Sequence, residues 1–348
     1  MLNPQETISE ILETSLPNKR IREVLARRFG LADGERQTLE EIGQDYGITR
    51  ERVRQIEENG FRVLSQAKIL VSLKPIFELI QGHLSEYGNL KREKKLLDDL
   101  SSIFLKNNGE AKDYIRCQAA LSLILTLGKP FIKEKENQSF YSFWTINKKS
   151  VNVVQRLVNF LIKHLEKISR TLAFEELLKQ AKKANKNLTD KALFSYLDVC
   201  KPIEANKFEE YGLIAWPEIR PKGIKDKAYL VLKKHGQPLH FSRITELINQ
   251  SNLDERAAFL QTVHNELIKD PRFVLVGRGT YGLTDWGYES GTVSEIIAKL
   301  LSAKALSKEE ILAQVLAQRM VKENTVLINL QNRKHFIRKD DGRYQLFQ

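Results

Sequence analysis

Residues 38–57, TLEEIGQDYGITRERVRQIE, gather side chains that can read the edge of a base pair. Arg50, Arg52 and Arg54 can each chelate guanine, Gln55 can pair with adenine, and Glu51 can accept from cytosine. Such residues work only if one element holds them on a common exposed surface. Val53 and Ile56 recur at i, i+3, which predicts a helix from Arg50 that buries those two and turns Arg50, Glu51, Arg52, Arg54 and Gln55 outward. Thr49 is its expected N-cap, with Arg52 where a capping box has Glu or Gln, so that box is incomplete. Upstream, Leu39 and Ile42 share one face of a preceding helix, and Gly47 stands where a left-handed turn is wanted. Two helices joined by a short glycine-containing turn form a helix-turn-helix, which can lay its second helix in the DNA major groove. An ordinary amphipathic helix pair, or a helix-turn-helix that binds protein, are the alternatives.

The surrounding stretch, RIREVLARRFGLADGERQTLEEIGQDYGITRERVRQIEENGFRVL at 20–64, resembles region 4 of bacterial housekeeping-type sigma factors. The markers are Arg22-Glu23 with Val24-Leu25, then Arg28-Phe29-Gly30-Leu31, Asp33-Gly34, TLEEIG from Thr38 and TRERVRQIE from Thr49. The resemblance implies a module that reads the −35 promoter element and docks on the flap of the RNA polymerase β subunit. It places the base-reading and phosphate-contacting positions at Arg50, Glu51, Arg52, Arg54 and Gln55. Glu58-Asn59-Gly60 departs from the family pattern. A glycine inside a helix costs about 1 kcal/mol against alanine, so this helix is expected to fray or stop early. Only a few turns of chain precede the motif, so counterparts of regions 2 and 3 are expected to be missing and the chain is not expected to initiate transcription alone.

Composition narrows the partner. Lys plus Arg number 56 against 44 acids in 348 residues, a formal charge of +12, which favours a polyanion. No 18-residue apolar run or basic-then-apolar leader is present, so double-stranded DNA is expected rather than a membrane, in the cytoplasm and nucleoid-associated. Cys117 and Cys200 read as two buried thiols in a reducing compartment. No metal-ligand spacing, Ser-His-Asp set, paired-carboxylate motif or P-loop is found, so no cofactor, no metal and no enzyme are expected. Gly277-Arg278-Gly279-Thr280-Tyr281-Gly282 fits G-x-G-x-x-G, but a strand pattern follows it instead of a helix, so it reads as a hairpin turn.

Ahead of the motif come an amphipathic helix ending before Pro17 and a helix at 19–30 with Lys19, Arg20, Arg22, Arg27 and Arg28 outward, free to meet phosphates or water. After it the pattern repeats: three helices, then two short β-rich runs, the order of a winged helix. Helices are expected at 75–87, 91–105 and 111–126; 151–168, 172–184 and 189–199; 224–235, 241–250 and 255–269; 292–302, 307–319 and 322–332. Strand pairs follow each set: Phe131-Ile132 with Phe140–Trp144, Ile203 with Leu213–Trp216, Phe273–Val276 with Thr280–Leu283, and Phe336–Lys339 with Arg343–Phe347. TVHNELIKDPRFVLVGRGTYGL from Thr262 overlies TVLINLQNRKHFIRKDDGRYQL from Thr325 at a constant offset of 63, sharing Thr, Val, Leu, Phe, Gly, Tyr and Leu. That argues for duplication. The shared Gly279 and Gly342 fall at the hairpin turn. Linkers are expected at 146–150, 217–223 and 287–291.

The third repeat resembles the HARE-type helix-turn-helix domain of the RNA polymerase delta subunit, on Gly236-x-Pro238-Leu239-His240 and the Phe273…Gly277-Arg278-Gly279…Tyr281-Gly282-Leu283 wing. His240 reads as a helix cap or turn residue. The runs Lys91–Lys95 and Lys182–Lys186 read as solvated faces. Arg333, Lys334, Arg338 and Lys339 surround a helix-to-wing junction, where phosphate contact is expected.

The expected fold is therefore mainly α: a helix-turn-helix module at 1–72, then a tandem array of winged helices at 73–147, 148–221, 222–289 (HARE-like) and 290–348. The expected function is a sequence-specific DNA-binding transcription regulator reading a −35-like element through Thr49, Arg50, Glu51, Arg52, Arg54 and Gln55, with RNA polymerase core and its β flap as a further partner. The alternatives are a protein-interaction factor that binds the flap or a sigma factor without reading DNA, and, more remotely, a DNA-targeting subunit of a modification or restriction system. If the +12 charge serves a polyanion, log affinity of the whole chain for duplex DNA should fall steeply and linearly with log salt. A flat salt titration would exclude that use of the charge.

Overall fold

The computed structural model describes residues 3–106, 108–251, 253 and 256–347, in two compact units, Met1–Glu204 and Ala205–Gln348. The first opens with helices α1 (Pro4–Ser15), α2 (Lys19–Phe29), α3 (Leu39–Tyr46) and α4 (Arg50–Leu64). It continues with α5 (Ala67–Glu86), β1 (Leu90–Arg92), α6 (Glu93–Leu105), α7 (Ala111–Leu127), β2 (Ile132–Glu134) and β3 (Phe143–Thr145). Then come α8 (Lys148–Ile168), β4 (Leu172–Ala173), α9 (Phe174–Ala184) and α10 (Asp190–Val199). Strand β5 (Ile203–Ala205) spans the division. The second unit holds β6 (Glu210–Leu213), α11 (Ile224–His235), β7 (Leu239–His240), α12 (Phe241–Gln250), α13 (Leu260–Lys269), β8 (Phe273–Gly277) and β9 (Thr280–Leu283). It ends with α14 (Val293–Ala303), α15 (Lys308–Gln318), α16 (Glu323–Leu330), β10 (Phe336–Arg338) and β11 (Tyr344–Leu346). The fold is mainly α, a helix-turn-helix followed by winged-helix repeats of order helix, strand, helix, helix, strand, strand.

Local sequence sets most helix ends. Asn3, Asn18, Thr38, Thr49, Thr292 and Ser307 each accept a backbone N–H as N-cap, and Thr38/Glu41, Thr292/Glu295 and Ser307/Glu310 complete capping boxes. His240 caps α12. Both cysteines are free and buried, and burial pushes Cys117 up to about 12 and Cys200 up to about 11.

Four expectations change. Helix α4 does not stop at Gly60 but runs to Leu64. Gly60 is buried, and a Cβ there would lie 2.8 Å from Leu25 Cδ1 and 2.9 Å from Ile21 Cγ2. The missing side chain is what lets α2 cross α4 closely, and that packing outweighs the propensity cost. Helix α5 starts at Ala67, not 75, and passes through Pro75, because Ile69, Leu73, Ile76, Ile80 and Leu84 make one buried stripe. The wings carry a third strand ahead of the second helix. Leu90 pairs with Thr145 in the sheet β1-β3-β2, and Leu239 pairs with Tyr281 in β7-β9-β8. Leu306 bridges Tyr344 beside β10-β11. Finally, Lys91 is not solvated: it is 5% exposed, paired with Asp99, and its ammonium lies 3.3 Å from the Tyr87 ring centroid.

Smaller shifts concern ends. The expected strand at Phe140–Trp144 forms only over Phe143–Thr145, while Phe140 bridges Cys200. The expected strand at Leu213–Trp216 instead occupies Glu210–Leu213. Helix α13 begins at Leu260, and the expected start at 255 lies outside the described residues. Gly279 and Gly342 turn their hairpins with φ of 67° and 86°.

One apolar core joins the helix-turn-helix to the first winged helix. Leu25 and Leu64 share it with Leu73, Ile76, Leu100, Leu121 and Ile124, and Arg116 Nε donates to Ala32 O at 2.9 Å. Replacing Gly60 by valine should overpack the α2–α4 crossing and destabilise the protein by about 1–3 kcal/mol. Alanine at Gly82, exposed in α5 with nothing within 4 Å of its Cβ, should stabilise by about 0.5–1 kcal/mol. Urea denaturation of both variants checks the contrast, and equal effects would mean α4 and α2 do not cross at Gly60.

Candidate nucleic-acid interface

Helix α3 ends at Gly47 in a left-handed conformation (φ 63°, ψ 35°), and α4 begins two residues later with Thr49 Oγ1 accepting from Arg52 N at 3.2 Å. Gly43 allows the turn to close: a Cβ there would stand 2.7 Å from Ile48 O. Val24, Ile42, Val53 and Ile56 form the small core of the motif, with Ile21, Leu39, Tyr46 and Ile48 packed against it. That fixes the face of α4. Thr49, Arg50, Glu51, Arg52, Arg54 and Gln55 are all exposed, as their spacing predicts.

These exposed residues are not independent. Arg54 donates to both carboxylate oxygens of Glu51, at 2.9 and 2.6 Å, and also pairs with Glu58. Hydrogen bonding from Arg54 holds Glu51 below the usual carboxylate range, and Glu51 in turn raises Arg54. Arg52 Nη1 donates to Gln55 Oε1 at 3.0 Å. Arg50 makes no side-chain hydrogen bond or ion pair among the described residues. The i, i+3 and i, i+4 spacing of Glu51, Arg54 and Glu58 is the signal that could have found this pairing in the sequence.

The arginines of α2 have framework roles, not the solvated or phosphate-facing ones expected. Arg28 Nε pairs with Glu57 at 2.9 Å and its Nη1 donates to Gln37 O at 2.6 Å, tying α2 to α4 and to the loop before α3. Arg27 pairs with Asp45 at 2.8 Å, and Arg22 Nη1 donates to Leu16 O at 2.5 Å. Arg20 and Arg27 both lie over the Tyr46 ring. The Tyr46 hydroxyl donates to Glu23 at 2.5 Å, lowering that carboxylate.

Arg333, Lys334, Arg338 and Lys339 are exposed between α16 and the β10–β11 turn and make no ion pair among the described residues. Arg338 Nε donates to Gly342 O at 3.4 Å across the hairpin. They belong to the second compact unit and the α4 residues to the first. Among the described residues no group of His, Cys, Asp and Glu could hold a metal ion, and no helix is long and apolar enough to cross a membrane.

An exposed polar helix set on a tight helix-turn-helix, followed by winged-helix repeats, places the chain in the helix-turn-helix class. Residues 18–66 match the family described as Sigma-70, region 4, and residues 223–286 match the HARE-HTH family, a helix-turn-helix domain described for ASXL and restriction endonuclease proteins. The chain thus carries a sigma-70 region 4 domain and a HARE-type helix-turn-helix domain. Among curated proteins it is similar to the RNA polymerase sigma factor SigA of Microcystis aeruginosa and to that of Synechocystis sp. Each is 50% identical over 60 residues, covering 17% of this chain and 14% of the relative. The SigA of a Bacillus sp. is 42% identical over 74 residues, covering 21% of this chain and 19% of the relative. The chain therefore spans less than a fifth of the length of these relatives.

Removing the Arg28 side chain should leave Glu57 and Gln37 O without their charged donor and destabilise the protein by about 1–3 kcal/mol. Arg50→Ala, which removes no contact, should leave the urea midpoint almost unchanged. If both variants melt together, the α2–α4 tie is not part of what holds the motif.

Proposed function

We propose that the protein is a DNA-binding transcription regulator acting near RNA polymerase, with α4 as its base-reading helix. The observation that carries this is the coincidence of the region 4 match with an exposed row of Arg50, Glu51, Arg52, Arg54 and Gln55 on a buried-backed helix. In this reading Thr49 and the N-terminus of α4 seat a phosphate, and Arg50, Arg54 and Gln55 reach base edges of a −35-like element. Arg54 exchanges its exposed carboxylate partners for a guanine when it binds. Exposed, salt-screened ion pairs make that exchange easy, and a wrong base leaves Arg54 with Glu51 and Glu58. Arg333, Lys334, Arg338 and Lys339 add sequence-independent phosphate contact through the last wing. The polymerase β flap is the protein partner that the region 4 likeness suggests. Whole-protein activity in the sigma relatives belongs to those longer chains.

A second reading is favoured by the pairing of Arg54 with two acids, which blunts the positive field of α4. On that reading the helix docks on the flap or on a sigma factor and reads no base. Selection of bound duplexes from a random pool separates the two. Wild type should enrich one motif, and Arg54→Ala and Gln55→Ala should each relax it at one base pair, by about ten- to a hundredfold in preference. Alanine at all four C-terminal cations should weaken every sequence alike and lower the salt slope. A wild-type pool with no enriched motif, or mutants that enrich the wild-type motif, moves the function to the protein-binding reading.

A further inference from the structure

Helix α8 carries a second surface that the base-reading assignment leaves unused. Along its outer side stand Lys149, Val153, Arg156, Phe160, Lys163 and Lys167, all exposed. Their spacings of four, three, four, three and four residues are those of a heptad a/d seam. At about 100° per residue all six lie within about 40° of one line, and the seam runs about 27 Å. Val153 and Phe160, 40% and 37% exposed, alternate with the cations. None of the four cations makes an ion pair among the described residues, in a chain where most such groups on neighbouring helices do. The nearest acid on the helix, Glu166, is about a quarter turn away. The opposite face, Val154, Leu157, Val158, Leu161 and Leu165, is fully committed to the core.

We propose that this seam docks an acidic amphipathic helix of a partner protein, whose carboxylates meet Lys149, Arg156, Lys163 and Lys167 while apolar residues cover Val153 and Phe160. Three alternatives fit the seam less well. A phosphate backbone would satisfy the cations but strand Val153 and Phe160 against charge. A membrane surface calls for a broad apolar face flanked by cations, whereas here two apolar residues sit singly between them. A second copy offers Glu6, Glu10 and Glu13 on the exposed face of α1, acids at matching spacing but with no apolar residue between them.

The test uses the full chain and a fluorescein-labelled synthetic helix of roughly 25 residues, with Leu and Glu alternating at its a and d positions, plus a counterpart with Lys for Glu. Anisotropy should show saturable binding of the Glu peptide only. Arg156→Glu with Lys163→Glu should weaken it about tenfold or more and admit the Lys peptide. Val153→Ala with Phe160→Ala should weaken the Glu peptide about fivefold, with circular dichroism unchanged. Indifference to the Val153/Phe160 pair, or failure of the charge reversal to switch peptides, overturns the proposal. So does an equal loss of duplex DNA affinity on charge reversal, which marks a phosphate track, or wild-type self-association that the reversal abolishes, which marks a second copy. No DNA enters the peptide assay, so failure of the base-reading assignment would leave this result standing.

Discussion

The orientation of α4 depends on a close helix crossing. Where α2 passes over α4, Gly60 leaves room for Leu25 and Ile21, and the two helices approach as a larger residue would forbid. The rest follows from that contact. Val53 and Ile56 turn inward on the preceding turns, so Arg50, Arg54 and Gln55 must turn outward. Arg28 reaches across the same crossing to Glu57 and to the loop before α3, fixing the azimuth of α4 by a charged hydrogen bond as well as by packing. The glycine that looks like a weak point by helix propensity is the residue that sets the geometry.

The same crossing explains why the helix-turn-helix is not a free bead. Its own core comprises Val24, Ile42, Val53 and Ile56 and a few half-buried neighbours. Leu25 and Leu64, from the same helices, belong instead to the large core of α5, α6 and α7, with Phe29 and Phe61 packed edge-to-face beside them. A segment of this size alone buries too little apolar surface for robust stability. It gains that stability from the winged helix that follows, and within the first compact unit α4 is carried on a rigid support.

The local grammar of the chain was legible wherever one residue type has one physical use. Gly47 takes the left-handed turn, Thr49 caps α4, and Gly279 and Gly342 turn their hairpins, each as read from sequence. The helices of the third and fourth repeats fell close to their expected spans because their apolar periodicity is unbroken. What was not legible were long-range partners. Nothing local says that Gly60 faces Leu25, that Lys91 lies under Tyr87 beside Asp99, or that the arginines of α2 fold back on the motif. The third strand of each wing escaped because it is only two or three residues long. Its one signature is a leucine (Leu90, Leu172, Leu239, Leu306) two or three residues ahead of the second helix, which stands out only when the repeats are laid side by side.

That leucine also shows how the repeats hold their wings. In the first, third and fourth repeats it pairs across the sheet with Thr145, Tyr281 or Tyr344, so the start of the second helix is hydrogen-bonded to the last strand of its own wing. In the third repeat the contact is tighter still: Phe241 N donates to Gly279 O at 2.9 Å, and a Cβ at Gly279 would sit 2.6 Å from the His240 ring. The wing tip is thereby fixed to the helix N-terminus by backbone bonds that no side-chain change on the surface would remove. Sequence on the exposed faces of these repeats is then free to vary, which is how one scaffold can carry a basic junction at Arg333–Lys339 and a mixed basic and apolar seam on α8 without altering the fold beneath either.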